Sequence, residues 1–380
     1  MSAALFLLML CAGHTLAADV RVPEPKIPFD PRFYVCYRAQ KPLGIDGRLD
    51  EASWKKADWT ESFVDIEGTV RPKPRFRTRV KMLWDDRYFY VAAELEEPNV
   101  WATYRKRDSV VFEENCFEVF IDPDGDTHDY YELEINALNT IWDLLLLQPY
   151  RDGGPAAVNA WDIRGLKSAI AVNGTLNVPK DRDKGWTVEM ALPWEVLREC
   201  APGNKPRPDA GDQWRMNFTR VEYRLATEEG VYVKAKDPAS GELYLEDNWA
   251  WSPQGLVNIH YPEMWGFVEF TDKIVGKGKE LFSDAFEEPV KWALRRIYYR
   301  ELAYRDANDA YASELDTLGL VADRTMKPDR WGYPPSIRTT DSLFEAVYRN
   351  DDGESWHIRQ DGLVWKEVPA AAKDDRKEGP

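Results

Sequence analysis

The chain has 380 residues, a formal charge of −16 and 13% aromatic residues, among them 16 Trp and 18 Tyr. That length suits one large or two medium domains with an ample core. The acidity argues against nucleic acid as a partner, because phosphates call for a basic surface, and it gives no attraction to an anionic membrane.

Residues 1–18 read as a secretory signal, an apolar run from Ala3 to Cys11 followed by small residues, with cleavage after Ala17 or Ala18. A secreted, periplasmic or cell-surface location follows from that reading. No Lys or Arg precedes the apolar run, and Leu10 is bulky where a small residue normally precedes a lipidated Cys. No later apolar stretch is long enough to span a bilayer. The remaining cysteines, Cys36, Cys116 and Cys200, are an odd and sparse set that spells neither a disulfide framework nor a zinc site.

Residues 19–42 form an extended, Pro-punctuated segment, and residues 43–272 then carry a series of short strands. Arg77 to Trp84 and Tyr88 to Glu96 make a hairpin around Asp85-Asp86-Arg87. The stretch from Glu113 to Asp143 follows, with strands Phe117 to Asp122 and Tyr130 to Asn136 separated by an Asp-rich turn. Alternation puts Phe117, Val119 and Ile121 on one face and Glu118 on the other. In the second strand Glu132, Glu134 and Asn136 share the face opposite Tyr131, Leu133 and Ile135. Such a polar face is either a solvated sheet surface or the floor under a ligand.

Thr140 to Leu147, Trp161 to Val172, Gly185 to Leu192, Trp214 to Tyr223 and Trp265 to Phe270 continue the β pattern. Many short strands with almost no long helix indicate a mainly β protein, a jelly-roll-like β-sandwich. The composition then changes. Glu287 to Leu318 has the apolar rhythm of one long helix ended by Gly319, and strands follow at Ser342 to Tyr348 and Ser355 to Glu367. Residues 283–368 are therefore expected to form a small α+β domain whose protein partner the sequence does not name, with 369–380 a disordered tail.

Four stretches in order carry a family resemblance: Asp46-Gly47-Arg48-Leu49-Asp50-Glu51-Ala52-Ser53-Trp54, Leu83-Trp84-Asp85-Asp86-Arg87-Tyr88-Phe89-Tyr90-Val91, Phe117-Glu118-Val119-Phe120-Ile121-Asp122 and Gly185 to Trp194. Over roughly residues 40–271 the chain resembles family 9 carbohydrate-binding modules, and more narrowly the stand-alone carbohydrate-binding family 9-like secreted proteins. The resemblance implies a β-sandwich that binds saccharides, with structural calcium. It also implies an aromatic sugar platform at Phe112 and a hydrogen-bonding carboxylate at Glu118. A cation of the family pattern falls at Glu134, and the second platform falls to His260, Tyr261, Trp249 or Trp251.

Sugars present flat C–H faces and a rim of hydroxyls, so a binder needs aromatic platforms beside hydrogen-bonding side chains. On these grounds the candidate contacts to a carbohydrate ligand are Phe112, Glu118, Glu134, Asn136, Arg220, Trp249 and Trp251. Trp249 and Trp251 share a face of an extended segment, which reads equally as a platform or as a core pair. Asp122, Asp124, Asp126 and Asp129 offer oxygen ligands for calcium, or simply an acidic turn. No other cofactor is called for. Two rival readings stand beside the binder: a glycoside hydrolase using Glu118 with Glu132 or Glu134, and a non-catalytic cell-surface scaffold.

Overall fold

In the computed structural model, residues 22–284 and 286–369 are described. The expected signal segment and nearly all of the expected disordered tail lie outside them. The segment expected to be merely extended contains a strand, β1 (Phe33–Arg38), because its aromatic and β-branched run buries Tyr34 and Cys36. After it come β2 (Val64–Asp65), β3 (Thr78–Trp84), β4 (Tyr88–Glu96), β5 (Cys116–Asp122), β6 (Tyr130–Asn136), β7 (Ile141–Leu146) and β8 (Ala157–Val158). β9 (Lys167–Asn173), β10 (Gly185–Pro193), the one-turn α1 (Trp194–Leu197) and β11 (Gln213–Glu222) follow. The hairpin β12 (Leu225–Glu228) and β13 (Val231–Lys234), then β14 (Asp247–Ala250) and β15 (Gly266–Ile274), complete this part. Residues 161–166, expected in a strand, are turn and loop before β9.

A continuous hydrogen-bonded path runs β8-β7-β6-β5-β11-β15-β1-β3-β4-β10-β9. Its two halves lie face to face as a β-sandwich. Val119, Leu133 and Phe218 from one half share a core with Val80, Val91 and Val188 from the other. β1 joins the halves, running parallel to both β15 and β3.

Strand parity then decides which side chains are core and which are not. Phe117, Val119 and Ile121 face the sandwich interior, while Glu118 stands on the outer face directly across from Glu134 of β6. Thr219 of β11 flanks Glu118 on one side, and Trp142 of β7 flanks Glu134 on the other. Among the described residues, Cys36, Cys116 and Cys200 are free thiols.

Beyond the sandwich, α2 (Glu288–Asn308) packs on an antiparallel meander of β16 (Ser336–Thr339), β17 (Phe344–Arg349), β18 (Ser355–Arg359) and β19 (Val364–Glu367). The helix is shorter than expected. Asp309 adopts the left-handed conformation at φ 54 and donates its N–H to the Arg305 carbonyl, which closes the helix ten residues before Gly319. Val290, Leu294, Ile297 and Tyr298 form a second core that also takes in Tyr261 and Met264 of the sandwich. No described helix is long and apolar enough to cross a membrane.

Candidate binding cleft

On the outer face of β5, β6 and β11 lies a cleft of about 430 Å³. Its floor is Glu118, Glu132 and Glu134, each at most 6% exposed. Glu132 and Glu134 are successive same-face positions of one strand, roughly 7 Å apart along it. Glu134 accepts the Phe112 backbone N–H at 2.8 Å. Glu118 accepts the Thr219 hydroxyl and lies 3.5 Å from the Cys116 thiol. One oxygen of Glu132 has no hydrogen-bond partner and sits 4.0 Å from His260 Nε2.

Among the described residues lining the cleft there is no Lys or Arg. Burial therefore outweighs the hydrogen bonds these groups accept, and all three carboxyls hold protons more tightly than usual. Burial and then the Glu118 charge push Glu132 up to about 8. Burial, with Glu118 and Glu132 adding to it, puts Glu134 well above the carboxylate range, and burial raises Glu118 too. His260 goes the other way: burial and the nearby Arg151 hold it near 3, so the imidazole is neutral.

Aromatic pairs close the two ends of the floor. Beside Glu134, Phe112 stacks on Trp142 with ring centroids 6.1 Å apart. Beside Glu132, Tyr150 stands edge-on to His260 at 4.6 Å, and His260 Nδ1 is hydrogen-bonded to Tyr130 at 2.8 Å.

The Tyr150–His260 wall comes from two turns that are clamped from below. Arg151 lies 4.0 Å over the Tyr261 ring and pairs with Glu263 at 2.8 Å. Asp152 takes the hydroxyl of Tyr298, and Glu263 takes that of Tyr299. In each turn the wall residue is a near neighbour of the clamped ones, and the two tyrosines that hold Asp152 and Glu263 belong to α2 of the C-terminal domain.

The structure gathers three of the residues expected from the sequence, Phe112, Glu118 and Glu134, and adds His260, one of the four alternatives for a second aromatic. The other candidates lie elsewhere. Arg220 faces the sandwich interior, 1% exposed, with its guanidinium held by Glu97 at 2.6 Å and Glu222 at 2.8 Å. Trp249 is opposite Arg220 in register and therefore points inward with it. Trp251 packs at a tilt against Phe218 in the core, ring centroids 5.8 Å apart. So the Trp pair shares a face, but that face is the buried one. Asn136 is on the outer face but spends its amide on the Tyr104 carbonyl and Glu114, and its oxygen on the Leu138 and Thr140 amides. It fixes a turn. Tyr261 lies under α2.

Trp142, Tyr150, Thr219 and Asn258 also line the cleft, outside the set of candidate contacts chosen from the sequence. Trp142 sits opposite Glu134 by strand register, the one of these that alternation made readable. The others come from the adjoining strand or from loops.

In the Asp-rich turn, the carboxyl oxygens of Asp122, Asp124 and Asp126 lie within 4.8 Å of one another, and Asp129 falls outside the group. Asp122 accepts the Gly125 and Thr127 amides at 2.9 and 3.0 Å. The turn is covered by the C-terminal domain, whose Arg295 donates to the Asp126 carbonyl and the Thr127 hydroxyl.

A hydrogen-bonded Ser355–His357–Glu345 relay, with both contacts at 2.8 Å, crosses the C-terminal sheet. Ser355 and His357 are same-face neighbours on β18, and Glu345 reaches them only through the pairing of β17 with β18. Ser355 is 1% exposed, so its hydroxyl is closed to a substrate and the relay serves the sheet.

Residues 45–231 match the family model described as "Carbohydrate family 9 binding domain-like". Over 153 residues, 40% of this chain, it is 27% identical to an exoglucanase XynX of Acetivibrio thermocellus and 28% identical to an endo-1,4-beta-xylanase A of Thermoanaerobacterium saccharolyticum. The match spans only 12% and 11% of those enzymes. Among solved structures, a Caldicellulosiruptor kristjanssonii family 9 carbohydrate-binding module in complex with cellotriose aligns at a TM-score of 0.40 and 16% identity, covering 65% of this chain and 99% of that one.

Proposed function

The chain belongs, through residues 45–231, to the carbohydrate family 9 binding domain-like family, and from that premise we propose that the acid-floored cleft is its saccharide site. The observation that carries the reading is the floor of Glu118, Glu132 and Glu134 closed at both ends by aromatic pairs. Carboxyl groups accept or, when protonated, donate to sugar hydroxyls, while Phe112, Trp142 and Tyr150 offer apolar faces to the ring. A cleft of about 430 Å³ is in the range that takes a small-molecule ligand.

The same geometry argues for holding a sugar rather than cleaving it. Glycosidases place two carboxyls on either side of the scissile bond, roughly 5–9.5 Å apart. Here all three rise from one floor, and oxygens of Glu118 and Glu134 lie within 4.8 Å of each other. The test is a calorimetric titration with cellotriose and xylotriose, with product analysis of the same mixtures. Saturable binding without new reducing ends is the expected result, and Glu118→Ala or Phe112→Ala should weaken it by about tenfold or more. Released product that Glu118→Gln abolishes would make the floor catalytic, and no binding at all would leave a scaffold protein.

Asp122, Asp124 and Asp126 form a donor set suited to calcium, an oxygen-seeking ion, which would hold the turn shut against their mutual repulsion. Export by the segment at residues 1–18 is supported by its apolar run and small residues. N-terminal sequencing of the protein recovered outside the cytoplasm tests it, with a chain starting near Asp19 expected.

A further inference from the structure

We infer that the cleft selects an amino sugar, an oligosaccharide whose free ammonium group sits against Glu118, Glu132 and Glu134. The inference rests on the cleft being a saccharide site and says which saccharides it prefers.

Charge is the first ground. Glu246 at the rim joins the three floor carboxyls, and the described lining residues include no Lys or Arg to balance them. The one basic ring, His260, is neutral. A neutral sugar leaves this imbalance as it is, so the floor must keep its protons. An ammonium at the same place lets a floor carboxyl release its proton to solvent and pair with it, because a buried charge that is paired and hydrogen-bonded costs far less than an unpaired one.

Hydrogen bonding is the second and independent ground. Glu132 is 6% exposed, lines the cleft, and has one oxygen with no partner. A sugar hydroxyl brings a single donor. An ammonium brings three, enough to reach Glu132 and a second carboxyl together, through charge-assisted bonds that are about twice as strong as neutral ones. The faces of Phe112, Trp142 and Tyr150 add attraction for a cation and for the C–H face of the ring that carries it.

The experiment compares three trimers with the same β-1,4 backbone that differ in the group at C2. They are cellotriose with hydroxyl, the glucosamine trimer with ammonium, and the N-acetylglucosamine trimer with a neutral amide. Each is titrated into the full chain by calorimetry at mildly acidic pH, where the amine is charged. The glucosamine trimer is expected to bind about tenfold or more tighter than cellotriose. The N-acetylated trimer should gain nothing over cellotriose. Glu118→Gln and Glu132→Gln, shape-preserving changes checked by thermal melting, should each shrink the ratio of the two affinities toward one. Asp351→Asn, an exposed acid in the C-terminal domain, should leave that ratio unchanged.

Cellotriose binding as tightly as the glucosamine trimer would overturn the inference while leaving the saccharide site standing. No binding by any trimer would end both. A glucosamine preference that survives both Gln changes and fades with salt would be general attraction to a chain of charge −16, and it too would overturn the inference. So would displacement of the trimer by calcium alone, which would make the floor a metal site.

Discussion

The hairpin of β5 and β6 carries two triplets of acids, and the fold treats them in opposite ways. Glu118, Glu132 and Glu134 stand on the strands, where the pleat sets them side by side on a flat face with no cation beside them. Asp122, Asp124 and Asp126 stand in the turn, where the chain curls their oxygens inward and the C-terminal domain brings Lys291 and Arg295 close enough to offset part of their charge. Strand geometry spreads acids into a surface that a ligand can lie on. Turn geometry gathers them round a point. The first triplet is therefore expected to govern affinity and the second stability.

That division breaks most visibly if Asp122 is removed. Asp122→Ala strips two amides of their acceptor at a fully buried position and is expected to cost roughly 2–4 kcal/mol, read by denaturant unfolding. Glu118→Ala should leave stability nearly unchanged and cut oligosaccharide affinity instead. If Glu118→Ala unfolds the chain while Asp122→Ala is silent, the contrast between the triplets is wrong.

Proton linkage sharpens it next. Glu132 has a folded-state value of about 8 against an ordinary Glu value near 4.5. Below the ordinary value both states are protonated and Glu132 costs nothing. As pH rises from there to about 8, the unfolded state loses the proton while the folded state keeps it, so stability falls across that window and then levels off. Glu132→Gln should shrink the fall, leaving the share due to Glu118 and Glu134, and stabilise the ligand-free protein by roughly 1–3 kcal/mol at the top of the window and not at the bottom. Melts of both proteins across this pH range check the sign.

Chelation probes the other triplet. With calcium bound at the turn, EDTA should lower the melting temperature by about 5 °C, and Asp124→Asn should lose that sensitivity. Unchanged melting in EDTA removes calcium from the account. The smallest expected effect is on the wall. Tyr299→Phe keeps the ring in place but takes a hydroxyl from Glu263, and should weaken oligosaccharide binding by about threefold with little change in melting temperature.

Much of this arrangement was legible before any coordinates, and the failures have physical causes. Alternation alone put Glu118, Glu132 and Glu134 off the core face, because a period of two leaves no freedom once Val119 and Leu133 are buried. The same rule said that Trp249 and Trp251 share a face but not which one. Their inward orientation follows from the pairing of β14 with β11, a long-range fact. Arg220 carried the right chemistry for a sugar and faces the interior instead, satisfied by two glutamates. Tyr150 and His260 meet only because two distant turns are held together on α2, and no local pattern encodes that. β1 was hidden by its Pro-rich surroundings, and the end of α2 by an Asp that takes the conformation usually left to Gly.

The place of β1 also sets a timetable. Phe33 pairs with Phe267 in a parallel register, so the first strand of the sandwich is bonded to its last. During synthesis β1 has no complete slot until β15 has been made, and the two halves of the sandwich stay unjoined until then. Folding of the sandwich should be slow and finish late, as expected when native pairings join distant parts of a chain.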